Sequence, residues 1–133
     1  MDSSVALRAA QSSAAAVELT PYDLIAPPIW RSETLSALHE AQWRREVDDV
    51  TASRLRQALQ DLRVRIVAPR RLYDVAWHVA EELGWAKTYD SEFLALARIR
   101  GTKVLTTDAR MYRGAIRTGL VVNPDELTSG PRP

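Results

Sequence analysis

The chain has 133 residues, 46% hydrophobic and 26% charged, with a net charge of +1 at pH 7. A single soluble domain around one core is expected at that length and balance. The small net charge gives no bulk electrostatic signal for nucleic acid, and the absence of cysteine excludes disulfides and thiolate zinc sites.

The N-terminal run MDSSVALRAAQ carries an early acid and has neither a basic leader nor a sustained apolar stretch, so no signal peptide is expected. No window approaches the roughly 20 apolar residues of a membrane span, and a cytoplasmic protein is expected. Among the 18 basic residues only Lys87 and Lys103 are lysines. The planar fork of arginine suits phosphate and carboxylate, although a compositional bias toward arginine and alanine explains the same count.

In chain order, VALRAA reads as a helix just after Asp2. DLIAP at 23–27 reads as a short strand, and Pro28 suits the opening turn of the next helix. Over 30–45, Leu35, Leu38 and Ala41 recur at helical spacing, and over 50–62 Leu55, Leu59 and Leu62 form a second stripe. VRIVAP at 64–69 is a strand candidate. Helix is expected over 72–83, stopped by Gly84, and again over 91–100, stopped by Gly101. A strand over 103–107, a short helix from Ala109 and a last strand over 120–122 complete the pattern. This order predicts βαβ units: an α/β fold with a mostly parallel central sheet and helices on both faces. Residues 1–127 are expected to form one domain, with 128–133 as a flexible Pro/Gly/Ser-rich tail.

In such folds ligands collect at the carboxyl ends of strands, where helix N-termini also point. Four acids are expected there. Asp2 precedes VALRAA, Glu33 lies in the first turn after DLIAPP, Asp90 starts SEFLALARIR, and Asp108 follows KVLTT. Singly, each has a plain explanation as a helix cap or as a complement to the helix dipole. Together they form an anionic edge that a divalent cation would neutralise. Oxygen ligands without cysteine or a histidine pair point to Mg²⁺ or Mn²⁺ rather than zinc.

DSSVAL, the E of IWRSETLSALHEA, YDSEFLALA and LTTDARM, in that order, resemble the PIN-domain ribonucleases and are most similar to the VapC-type toxins of bacterial toxin–antitoxin pairs. The resemblance runs from Asp2 to about Val122 and implies a PIN-like three-layer fold. It implies an acidic quartet of Asp2, Glu33, Asp90 and Asp108, with Ser4 and Thr106 as supporting hydroxyls. It also implies metal-dependent endonucleolytic cleavage of RNA, a homodimer and inhibition by a co-expressed antitoxin. Relatives carry several apolar residues before the first aspartate, whereas only Met1 precedes Asp2 here. Either an upstream start or an abbreviated first strand is expected.

The chemistry assigns Asp2, Asp90 and Asp108 as metal ligands, direct or through water, and Glu33 as a ligand or the residue orienting the attacking water. Glu92 reads either as an auxiliary ligand or as a solvated first-turn acid. Arg31, Arg110 and Arg113 are substrate contacts or solvated surface, and Trp85 is core or a base-stacking residue. Trp43 and Trp77 read as core or interface, His39 and His78 as partly exposed helix residues, and Asp48, Asp49, Asp125 and Glu126 as solvated charges. Two other functions fit an acidic edge. One is a catalytically weak binding module that receives an arginine from a protein partner. The other, a phosphorylation receiver, needs paired acids at the first strand and a late lysine; MDSS has one acid and no lysine follows Lys103.

Overall fold

Short polar side chains open several of the helices. Asp2 caps α1 (Ser3–Gln11), Ser12 caps α2 (Ser13–Leu19), Asp48 caps α4 (Asp49–Asp61) and Asp108 caps α7 (Ala109–Ala115), each accepting backbone N–H groups of the first turn. Between them lie β1 (Leu24–Ala26), α3 (Ile29–Trp43), β2 (Val64–Ile66), α5 (Leu72–Leu83), α6 (Tyr89–Arg100) and β3 (Val104–Leu105). A 3₁₀ turn (Ile116–Thr118), β4 (Val121–Val122) and α8 (Pro124–Ser129) follow α7. The structure, a computed structural model, describes residues 1–129. The tail expected over 128–133 thus falls partly in α8, and 130–133 lie outside the described residues. Gly84 and Gly101 end α5 and α6 in the left-handed conformation, as the sequence predicts.

The fold is α/β, with all strand pairing parallel among the described residues. The ladder comes in two pieces. β1 pairs with β2 (Leu24 opposite Val64) and β3 with β4 (Val104 opposite Val121). Met1 and Asp2 lie between the pieces. The amino group of Met1 donates to the Ile25 carbonyl, and the Asp2 N–H donates to the Leu105 carbonyl, each at 3.1 Å. Met1 and Asp2 thus bridge β1 and β3. This fixes Asp2 beside the end of β3.

Helix α6 is the central support. Residues 91–97 are all buried, with Phe93, Leu94 and Ala97 in the main core. Ala95 and Leu96 join a second cluster with Val67, Leu72 and Ala76. A helix enclosed on all sides needs small residues where neighbours approach, which accounts for its alanines. Burying each Phe or Leu contributes about 1.5–3 kcal/mol, so the start of α6 is firmly held.

Several packing expectations change. The buried stripe of α3 is Trp30, Thr34 and Leu38, whereas Leu35 is 57% exposed. Trp43 is 82% exposed and Trp77 also faces out, so neither belongs to the core. His39 and His78 are exposed. Helix α2 was not legible, because AAAVEL carries no apolar period and Ser12 both ends α1 and begins α2. Among the described residues no helix is long and apolar enough to cross a membrane.

Candidate active site

The turn after β3 is laced to the start of α1. The buried Thr106 hydroxyl donates to one carboxylate oxygen of Asp2 and accepts from the Asp108 N–H at 3.0 Å. Ser4 Oγ donates to the other Asp2 oxygen at 2.6 Å and accepts from the Thr107 N–H at 3.0 Å. Ser4 and Thr106 therefore hold Asp2 from both sides. Asp108 Oδ1 accepts from the N–H groups of Arg110 (2.9 Å) and Met111 (3.3 Å).

Glu33 and Asp90 are placed differently. Glu33 is the fifth residue of α3, so it lies beyond the first turn where the sequence put it, and the dipole explanation does not apply. Asp90 is the second residue of α6, and Thr88 holds the cap position with no side-chain capping bond. The Asp90 carboxylate caps nothing. Its nearest countercharge is Arg110, at 4.0 Å and largely solvent-exposed.

The pKa shifts of these acids have neighbouring carboxylates among their causes, so the groups lie close together. The Glu33 carboxyl is raised to about 7, first by burial and then by repulsion from Asp90, Asp2 and Glu92. Asp90 is raised by burial, with Asp108 and Asp2 adding to the rise and Arg110 opposing it. Glu92 is only 8% exposed and burial raises its pKa, which overturns the solvated reading of that residue. Five carboxylates, at the caps of α1 and α7, in the first turn of α6 and beyond the first turn of α3, thus act on one another.

A PIN-domain family model matches residues 1–116. The chain belongs to the PIN-domain family. PIN domains are generally metal-dependent nucleases acting on nucleic acid, and this membership gives the chain a nuclease-type function. Comparison with curated proteins gives no match.

Among the described residues, no three carboxylate or histidine side chains of this PIN domain converge closely enough to form a ready-made metal cage. The donor set nevertheless fits a hard divalent cation: it is all oxygen, partly buried and short of countercharge. Asp2, Asp90 and Asp108 are the residues that would hold the ion, with Glu33 and Glu92 beside them.

Next to the acids lies an open cleft of about 640 Å³ whose lining includes Glu33, Trp85, Lys87, Tyr89, Asp90 and Arg110. Of the three arginines singled out by sequence proximity, Arg110 lines this cleft. Arg31 instead borders a separate groove with Trp30 and Arg56, and Arg113 lies at the surface outside the cleft lining. Sequence reasoning missed Tyr89 and Lys87; their nearness to Asp90 in KTYD was the available signal.

Proposed function

We propose that the protein is an Mg²⁺- or Mn²⁺-dependent endoribonuclease, the VapC-type toxin of a toxin–antitoxin pair. The observation that carries the reading is the mutual repulsion of the acids around Glu33, which a bound cation would relieve. A bound divalent ion supplies charge relief at phosphoryl oxygens and lowers the pKa of its water. Asp2, held by Ser4 and Thr106, and Asp90 and Asp108, each fixed at a helix start, would hold such an ion. Glu33, beside these acids in the cleft lining, can accept a proton from the attacking water. The test is cleavage of a structured RNA in excess EDTA, followed by return of Mg²⁺ or Mn²⁺. Activity should vanish and recover; cleavage unchanged in EDTA would overturn the mechanism.

In this reading the toxin works in the cytoplasm as a homodimer and is inhibited by an antitoxin. The exposed Tyr73 and Trp77, four residues apart on α5, support an association surface. Sedimentation of the purified protein, and co-purification from its native operon, test the two associations.

The reach of Arg110 to Asp90 favours one alternative. An edge that takes a guanidinium from its own chain can take one from a partner, making the protein a catalytically weak binding module. Metal affinity and RNA cleavage measured on one preparation separate the two, since the module binds its partner and cleaves nothing.

A further inference from the structure

The cleft beside Asp90 has a wall that metal chemistry does not require. Tyr89 is 56% exposed, and its hydroxyl makes no hydrogen bond among the described residues. Trp85 is half-buried and leans on α7 at Gly114, where an added Cβ would stand 3.0 Å from the indole Cζ2. Glycine inside a helix weakens it relative to alanine, so it calls for a packing reason. Here the reason is the close approach of the Trp85 ring, which sets the indole into the cleft wall rather than away from it. Lys87 and Arg110 add two positive charges to the same lining, beside the carboxylates.

Aromatic faces, flanking cations and a volume suited to one small organic group are what an unstacked nucleobase and its phosphates need. Bases inside a duplex offer no free face to such a wall. We propose that the cleft holds one splayed base of a single-stranded nucleic acid next to the scissile phosphate, stacked on Tyr89 and Trp85, with Lys87 and Arg110 on the neighbouring phosphates. The assignment rests on the nuclease reading of the same site and adds a base-binding subsite to it.

The test is binding of a short fluorescent single-stranded oligonucleotide with 2′-O-methyl, phosphorothioate linkages, followed by anisotropy so that cleavage is not the readout. One abasic nucleotide is stepped along the strand. At one position the abasic change should weaken binding to the wild type about 5- to 150-fold, the range expected for one stacked base. Tyr89→Ala should show a similar loss with the intact strand and little further loss with the abasic one, whereas Tyr89→Phe should bind like the wild type. Gly114→Ala should weaken the intact strand through displacement of Trp85 while leaving the melting temperature within a few degrees. If no abasic position weakens wild-type binding, or if Tyr89→Ala weakens intact and abasic strands equally, the stacking assignment is overturned. Cleavage of an unmodified RNA, run in parallel, judges the other reading. Base-dependent binding without cleavage removes the nuclease and keeps the subsite; metal-dependent cleavage without base dependence does the reverse.

Discussion

Asp2 and Asp108 are both helix caps and members of the acidic site, so substitutions there mix two effects. Asp90 separates them, because its carboxylate caps nothing. Asp90→Asn is expected to abolish cleavage while the melting temperature stays level or rises, since one repelling charge is gone. Asp108→Asn should also lose activity, yet keep its stability, because asparagine caps as well as aspartate. Asp108→Ala should cost about 0.5–2 kcal/mol in chemical denaturation. An Asp90→Asn variant that unfolds would return Asp90 to a structural role. Glu33 adds a pH dependence. Its pKa is 4.5 ordinarily and about 7 in the fold, so its contribution to stability is fully present below about 4.5 and is lost as pH rises through about 7. Glu33→Gln does not titrate, so its melting temperature relative to the wild type should be about 2–5 °C higher at pH 8 than at pH 5. An equal difference at both values would show that Glu33 is not held in this environment.

Asp2 and Asp108 are brought together by the junction of α1, β3 and α7, and one hydroxyl spans it. Thr106 at the end of β3 reaches Asp2 at the start of α1 and the N–H of Asp108 at the start of α7. Thr106→Val keeps the shape but leaves a carboxylate oxygen and an N–H unpaired in a largely buried setting, at a cost of about 1–3 kcal/mol. Thr106→Ser retains the hydroxyl and should recover most of that loss. Urea denaturation of the three proteins decides the matter, and a valine variant as stable as the wild type would mean that the junction is held by packing alone.

Across the whole molecule, two short parallel sheets and a buried α6 carry a rim of five repelling carboxylates. A ligand that binds only the folded state raises stability by mass action, by about 2.7 kcal/mol at one hundred times its Kd. Mn²⁺ should therefore raise the melting temperature at pH 7.5. The rise should be smaller at pH 5, below the value of about 7 to which Glu33 is raised, and it should be lost in Asp90→Asn. A melting curve that ignores Mn²⁺ at both pH values would count against a cation site at this rim.

The order of elements was legible because it depends on local signals: the period of apolar residues, the prolines after DLIA, and the glycines that end α5 and α6. That Asp2, Asp90 and Asp108 would lie near one another was legible for a similar reason, since acids just after strands or at helix starts share one edge of a parallel α/β fold. Glu33, in contrast, lies further into α3 than its sequence position suggested. What the sequence could not decide is what each residue meets in space. A helical period in α3 says that a buried face exists, but the packing against α1 and α4 put Thr34 inside and Leu35 outside. Tryptophan composition could not tell that Trp43 faces out while Trp85 rests on Gly114. Asp90 and Asp108 looked alike as helix-start acids, and only the hydrogen bonds show that one caps and the other does not. The pKa of Glu33 is a sum over burial and three acids, two of them more than fifty residues away along the chain, and only the tertiary structure brings that sum together.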